Sequence, residues 1–103
     1  MSSTPSVKVD PVDLQTFMAS LRHELVRARE LFGPFHSMHE GLAVLEEEVD
    51  EAKRIVRNRM RGKEASAALL HECVQVAAMA FYLWADTQSE EAPRQYDHLR
   101  MPT

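Results

Sequence analysis

Apolar residues recur every three or four positions in three segments of this chain, and no segment alternates apolar and polar residues as a β-strand does. The spacing predicts helices over about residues 11 to 31, 37 to 60 and 64 to 87. Gly62 marks the turn before the third helix. The pattern therefore predicts an all-α fold, an antiparallel bundle of three main helices per chain.

Residues that commonly begin and end helices flank the first two segments. Asp10 is a suitable N-cap with Pro11 at the first helical position, and Gly33, followed by a proline, ends the first helix. Ser37 with Glu40 three residues later is the capping-box pattern at the start of the second helix. These local signals place the starts of both helices independently of the apolar spacing.

The third helix is apolar on almost every side, which is typical of a central helix. It contains the one cysteine, Cys73, which we expect to be an inert core residue in a reducing compartment. We expect Phe81, Tyr82 and Trp84 in the core or at a dimer interface rather than as platforms for stacked bases. Two amphipathic helices cannot cover such a helix in a chain of 103 residues, so we expect a homodimer or homotetramer that completes the bundle.

The second helix carries carboxylates beside apolar residues instead of on a fully polar face. Glu48 and Glu51 are three positions apart and share a stripe with Val44 and Ile55. The main apolar stripe of the helix consists of Leu42, Leu45, Val49, Ala52 and Val56. Two carboxylates on a partly buried stripe repel each other and lose hydration, which is costly unless a cation neutralises them. The pattern predicts a divalent-metal site.

A second polar pair lies on the third helix, where Glu72 and Gln75 are again three positions apart. A central helix rarely carries an unpaired glutamate. The partner that we expect for Glu72 is the cation that Glu48 and Glu51 also need. His71 is expected on the side of the helix that faces away from this site.

Length and charge limit the classes of protein that remain. The 103 residues make one domain, residues 10–88, between a flexible N-terminal segment, 1–9, and a polar C-terminal tail, 89–103. A net charge of −4 disfavours a nucleic-acid binder, because nucleic acid needs a basic face. Glu72 and Gln75 interrupt the longest apolar stretch, so we expect no membrane span. The N-terminus does not resemble a signal peptide, and a cytoplasmic location is expected.

The acidic residues also resemble a family motif. Glu47, Glu48 and Glu51 match the pattern EExxE, and Glu72 with Gln75 follows as an ExxD-like pair. Two segments within residues 36–86 resemble the small phage and bacterial members of the MazG-like all-α nucleoside triphosphate pyrophosphohydrolases. These segments are HSMHEGLAVLEEEVDEA and ECVQVAAMAF. The resemblance implies a dimeric or tetrameric helical bundle that binds Mg²⁺, with Mn²⁺ as a substitute. It also implies cleavage of an NTP or dNTP to the monophosphate and pyrophosphate.

The resemblance assigns roles to the acidic residues one by one. Glu48, Glu51 and Glu72 would be metal ligands, with Glu47 as a further ligand or as the base that orients water. Gln75 takes the fourth ligand position, where the family usually has Asp. An amide oxygen can bind Mg²⁺, but it removes one negative charge and cannot act as a base. The alternative is therefore a degenerate helical module that binds nucleotide or a protein partner without turnover.

Other residues are predicted to meet the substrate or to have only structural roles. Lys53 and Arg54 begin a basic run that could hold phosphate, although cations near a helix C-terminus are also favoured by the helix dipole. His39 and Glu40 belong to a segment that resembles substrate-facing residues of the family, and Met79 lies one turn past Gln75. A zinc site at His36, His39 and Glu40 is disfavoured because no second ligand cluster has suitable spacing.

Two further alternatives compete with the metal site. The ordinary role of Glu48, Glu51 and Glu72 would be a salt-bridged helical face, which their apolar neighbours disfavour. A di-iron carboxylate bundle expects Glu-x-x-His on its ligand helices, whereas this chain has Gln75 in the place of the histidine.

Overall fold

A computed structural model of the chain describes residues 8–58 and 62–88, without the side chain of Lys63. It contains helices α1 (Pro11–Phe32), α2 (Met38–Arg57) and α3 (Lys63–Gln88), and the described residues form no strand. This confirms the prediction of an all-α fold with three helices. Most of the predicted N-terminal segment and the whole C-terminal tail lie outside the described residues, as does the predicted end of α2 near residue 60.

The helix starts agree with the local sequence signals. The Asp10 side chain accepts hydrogen bonds from the Val12 and Asp13 N–H groups, at 2.8 and 3.3 Å, with proline at the first helical position. Ser37 Oγ accepts from the Glu40 N–H at 3.0 Å. The returning bond of the capping box is displaced by one residue, because Glu40 accepts from the His36 N–H at 2.9 Å.

Helix α3 packs against both other helices, and more extensively against α2. Ala28, Ala78 and Met79 form a small buried core. The partly buried residues that pack against this core are Leu21, Leu25, Phe35, Val44, Leu45 and Tyr82. Helix α3 thus occupies the central position that its composition predicted.

Polar contacts join the ends of α1 and α3 to the loop before α2. Arg29 Nη2 donates to Asp86 Oδ1 at 2.8 Å, and the Phe35 N–H donates to Asp86 Oδ2 at 3.1 Å. The Arg29 guanidinium lies 3.8 Å from the centre of the Tyr82 ring, and the Tyr82 hydroxyl donates to the Leu25 carbonyl. These contacts hold the loop of residues 33–37 against the bundle.

Gly41 of α2 lies against both α3 and this loop. A Cβ atom there would come within 2.8 Å of Leu83 Cδ1 and 2.9 Å of Phe35 Cδ2, closer than real Cβ contacts allow. The missing side chain of Gly41 therefore permits the close approach of α2 to α3.

Several apolar side chains that were expected in the core are exposed in the single chain. Helices α1 and α2 cover only part of the apolar surface of α3, so Cys73 is exposed and the prediction that it is a core residue is wrong. Tyr82 packs against the core as expected, but Phe81 and Trp84 are 41% and 57% exposed. The other large apolar residues exposed on the helices are Val12, Leu14, Phe17, Met18, Val26, Leu31, Phe32, Leu42, Val56 and Leu70.

The third helix meets, by length and composition, the requirements for crossing a membrane over Glu64–Gln88, where the mean hydropathy of the most apolar window reaches 1.3. Core helices of water-soluble proteins meet the same requirements, so this is weak evidence. Glu72 and Gln75 lie within this segment.

Candidate metal centre

Three predicted ligands from two helices converge on one point. Glu48 and Glu51 lie one turn apart on α2, and Glu72 faces them from α3. One carboxylate oxygen from each residue lies within 4.8 Å of the other two. This spacing arises because residues three apart share a helix face and because α2 and α3 pack closely. We call these three residues the carboxylate cluster.

Glu72 is the buried member of the carboxylate cluster, with 9% of its surface exposed. Its Oε2 atom is buried and has no hydrogen-bond partner in the described part of the chain. Its neighbours Glu48 and Glu51 are acceptors when ionised, so they can satisfy this oxygen only by sharing a proton. Burial raises the pKa of Glu72, and the adjacent Glu48 raises it further. An unpartnered buried carboxylate oxygen is costly unless a cation or proton reaches it.

Glu51 is the exposed member of the cluster, and the adjacent Glu72 carboxyl raises the pKa of Glu51. The positive charge of Arg54 opposes this shift. The cluster therefore contains two carboxyl groups with raised pKa values, Glu72 because of burial and the adjacent Glu48, and Glu51 because of the adjacent Glu72. Carboxylate oxygens are the ligands that Mg²⁺ and Mn²⁺ prefer, and the donor set fits such an ion.

Gln75 lies one turn after Glu72 and is buried, with 8% of its surface exposed. Its Nε2 atom lies 3.4 Å from His71 Nε2, and its amide is close enough to Glu24 to lower the pKa of that carboxyl. The expectation that His71 faces away from the site is therefore wrong. The two residues are four positions apart on α3, so their side chains meet on the same face.

A cavity of about 540 Å³ adjoins the carboxylate cluster at Glu48, the one cluster member that lines it, and Gln75 lines it as well. Glu40, Glu47 and Met79 also line it, so these predicted site residues lie together. The remaining lining residues are Glu24, Arg27, Ala28, Arg29, Phe32, Gly33, Pro34, Phe35, His36, Val44 and Tyr82. All three helices and the loop of residues 33–37 contribute to its walls.

Three predicted substrate-binding residues do not line this cavity. His39 is exposed outside it, and so are Lys53 and Arg54. Lys53 Nζ lies 4.0 Å from Asp50 Oδ1, whereas Arg54 lies close enough to Glu51 to lower its pKa. Most of the later basic run falls on residues 59–61 and the Lys63 side chain, outside the described residues.

His36, in the loop before α2, makes a local contact with Glu40. His36 Nδ1 lies 3.2 Å from Glu40 Oε1. Within residues 8–58 and 62–88, the carboxylate cluster is the one group of three or more His, Cys, Asp or Glu side chains with ligand atoms this close together.

The sequence interpretation did not identify Glu24 and Arg27, both on α1. Glu24 is 5% exposed and pairs with Arg27 through two hydrogen bonds, Nε to Oε1 at 2.9 Å and Nη2 to Oε2 at 2.7 Å. This bond to Arg27 lowers the pKa of Glu24 against the opposing effect of burial. The signal in the sequence was weak, because a Glu and an Arg three positions apart are common on exposed helices.

No family model, curated protein or solved structure matches this chain.

Proposed function

We propose that the protein is a Mg²⁺-dependent nucleotide pyrophosphohydrolase of the MazG-like type, which cleaves an NTP or dNTP to the monophosphate and pyrophosphate in the cytoplasm. The observation that carries the proposal is the convergence of Glu48, Glu51 and Glu72 beside a cavity of about 540 Å³, which Glu48 lines. Glu72 adds a buried oxygen that has no hydrogen-bond partner among the described residues. Glu48, Glu51 and Glu72 would hold the ion, and Gln75 would offer its amide oxygen. Mg²⁺, or Mn²⁺ in its place, would offset negative charge on the phosphates and lower the pKa of a bound water.

The reaction is a hydrolysis in which a water oxygen bonds to the α-phosphorus. The bond from that phosphorus to the oxygen bridging the α- and β-phosphates breaks, and pyrophosphate leaves. Glu47 is exposed, lines the cavity beside Glu48 and can accept a proton from the water. The residues of the cavity thus supply both an acidic centre and a base.

The nucleoside would occupy the same cavity beside the acidic centre. Met79 and Tyr82 provide apolar and aromatic surface, and Glu40 provides a hydrogen-bond acceptor. Clefts of this size that combine apolar walls with a few polar groups are typical of small-molecule sites. His39, Lys53 and Arg54 lie outside this cavity, so we propose them only as residues of its surroundings.

We also propose that a second copy of the chain completes the bundle as a homodimer or homotetramer. Phe17 and Leu70 line an open groove of about 870 Å³ between α1 and α3, and both are exposed. Exposed apolar side chains that line a groove are a common feature of protein–protein interfaces. Sedimentation equilibrium at micromolar concentration should give a dimer or tetramer, and a monomer would contradict this part of the proposal.

The second candidate function is a nucleotide-binding or protein-binding module without turnover. Gln75 favours it, because this buried position carries a neutral amide where a fourth carboxylate would strengthen the acidic centre. The two candidates differ in pyrophosphate release and agree on nucleotide binding.

The test is to incubate the purified protein with each NTP and dNTP in millimolar Mg²⁺ and measure pyrophosphate and monophosphate. The enzyme should release both from at least one nucleotide, and Glu48→Gln should abolish the release by removing a charge from the carboxylate cluster. Glu46→Gln is the matched control, because Glu46 is an exposed residue of the same helix outside the cluster and cavity.

Nucleotide binding without pyrophosphate release from any nucleotide would favour the second candidate. Release that Glu48→Gln does not change would overturn the assignment of the catalytic centre.

A further inference from the structure

Arg27 is the cationic group of the cavity that is not committed to holding the bundle together. Arg29 also lines the cavity, but it bonds to Asp86 and lies over the Tyr82 ring. The side chain of Arg27 is 46% exposed, and Arg27 lines the cavity together with Glu48 and Gln75.

Glu24 holds the Arg27 guanidinium in one orientation. Their two hydrogen bonds use Nε and one N–H of Nη2, so within residues 8–58 and 62–88 three N–H groups of the guanidinium remain for another acceptor. An exposed pair three positions apart on a helix adds little, but here the carboxylate side is buried while the guanidinium side opens to the cavity. The arrangement is that of a positioned donor, because a planar fork bound on one edge presents its other edge in a fixed direction.

The charges around the cavity explain why such a donor is needed. Glu40, Glu47 and Glu48 line the cavity and would repel a polyphosphate chain. A cation at the carboxylate cluster would offset part of this repulsion, and phosphate oxygens that point toward α1 would need a further donor. Glu24 raises the pKa of Arg27, and Arg27 lies near enough to Glu48 for that carboxylate to raise it further.

We propose that Arg27, oriented by the buried Glu24, binds the phosphate chain of the nucleotide from the α1 side of the cavity. Arg27 is then a substrate-binding residue and Glu24 a positioning residue that acts through it. The inference rests on the proposed function for the identity of the substrate, and it assigns the phosphate contact to α1 rather than to Lys53 and Arg54 of α2.

The first test is kinetic and uses Arg27→Met, Arg27→Lys and Glu24→Gln in the full chain. Arg27→Met should raise KM for the nucleotide by about 10- to 100-fold with a smaller effect on kcat, because it removes charged hydrogen bonds to phosphate. Arg27→Lys should restore only part of the affinity, since a point charge replaces the fork. Glu24→Gln should raise KM without removing the cation. Arg22→Met, an exposed arginine of α1 outside the cavity, is the matched control and should leave KM unchanged.

The second test measures binding and does not depend on turnover. Inorganic tripolyphosphate with Mg²⁺ is titrated into each variant by calorimetry, and Arg27→Met should weaken binding at least tenfold relative to Arg22→Met. The variant Glu24→Gln/Arg27→Met removes both charges. It should therefore fold even if Arg27→Met, which leaves the buried Glu24 carboxylate without its partner, is poorly tolerated. It should bind tripolyphosphate as weakly as Arg27→Met.

These outcomes separate the two proposals. A wild type that binds tripolyphosphate through Arg27 but hydrolyses no nucleotide supports this inference while the proposed function fails. A hydrolase whose KM and tripolyphosphate affinity are unchanged in both Arg27→Met and the double variant overturns this inference alone. A wild type that binds no tripolyphosphate also overturns it.

Discussion

Arg29 Nη2 lies 2.8 Å from Asp86 Oδ1, so the last turn of α1 is bound to the last turns of α3 across 57 positions of sequence. The same carboxylate accepts the Phe35 N–H, which belongs to the loop between α1 and α2. One buried side chain, that of Asp86, therefore joins three parts of the bundle beside the proposed nucleotide cavity.

Asp86→Asn should destabilise the fold by about 2 to 3 kcal/mol, because it leaves Arg29 partly buried without its counter-charge and weakens the bond to the Phe35 N–H. Urea unfolding followed by circular dichroism measures this loss. Asp50→Asn is the matched control and should change stability by less than about 0.5 kcal/mol, since Asp50 and Lys53 are exposed and 4.0 Å apart. Equal effects of the two substitutions would contradict the structural role of Asp86.

Glu72→Gln should stabilise the metal-free protein at neutral pH by roughly 1 kcal/mol, because it removes a buried charge from a group of like charges. The folded pKa of Glu72 lies above its ordinary value of 4.5, so the folded state binds this proton more tightly than the unfolded state. Stability should therefore increase as the pH falls through the raised pKa toward 4.5, and decrease as it rises.

Thermal unfolding in EDTA between pH 4.5 and 8 measures this dependence, which Glu72→Gln should flatten. Glu24 acts in the opposite direction, because its pKa is lowered by Arg27, and its stabilising effect is lost only as the pH falls below 4.5. If Glu72→Gln kept the same dependence of stability on pH as the wild type above pH 4.5, the pKa of Glu72 would not be raised in the folded state.

Millimolar Mg²⁺ should raise the melting temperature of the wild type, because an ion that binds only the folded state stabilises it by mass action. At a concentration 100 times Kd this amounts to about 2.7 kcal/mol. Glu48→Gln should remove most of the shift, and the control Glu46→Gln should keep it. A melting temperature that does not respond to Mg²⁺ or Mn²⁺ would remove the support for a metal site at the carboxylate cluster.

Gln75→Asp should tighten Mg²⁺ binding by about tenfold, or roughly 1.4 kcal/mol, by adding a fourth carboxylate. The same change should destabilise the metal-free protein, because the new charge would lie close to the buried Glu24. Gln75→Asn has the same size without the charge and serves as the control.

For an enzyme that tolerates the amide, turnover should change only modestly in Gln75→Asp. For a degenerate module, the wild type should release no pyrophosphate, and any release by this variant would show that the lost charge had silenced it. Isothermal titration with Mg²⁺, together with pyrophosphate assays, distinguishes these cases. If Gln75→Asp and Gln75→Asn bound Mg²⁺ with equal affinity, Gln75 would lie outside the ligand set.

The three helices could be predicted because their signals are local. Apolar spacing defines a helix over a few turns, and the caps at Asp10 and Ser37 act within three residues of themselves. The convergence of Glu48, Glu51 and Glu72 followed from spacing on two helices that had to pack together. The metal-binding role of this cluster stays a prediction.

The remaining features depend on how the helices pack, which local patterns do not specify. Arg29 and Asp86 are ordinary charged residues until the fold brings them together. Leu42 and Val56 belong to the apolar stripe of α2, yet both are exposed, and Val44 of the acidic stripe packs against the core instead. The face of α2 that contacts the core is thus closer to its carboxylates than the apolar spacing predicted. On α3, His71 lies beside Gln75.

Gly41 has a consequence for the spacing of α2 and α3. With hydrogen in place of a side chain, α2 can approach α3 until Leu83 and Phe35 fill the gap. The same two helices carry the carboxylate cluster. Glu48 lies about two turns after Gly41 on α2, and Glu72 lies about three turns before Leu83 on α3. One methyl group added at Gly41 should therefore push α2 away from α3 and increase the distance between Glu48 and Glu72, although Gly41 lies outside the carboxylate cluster.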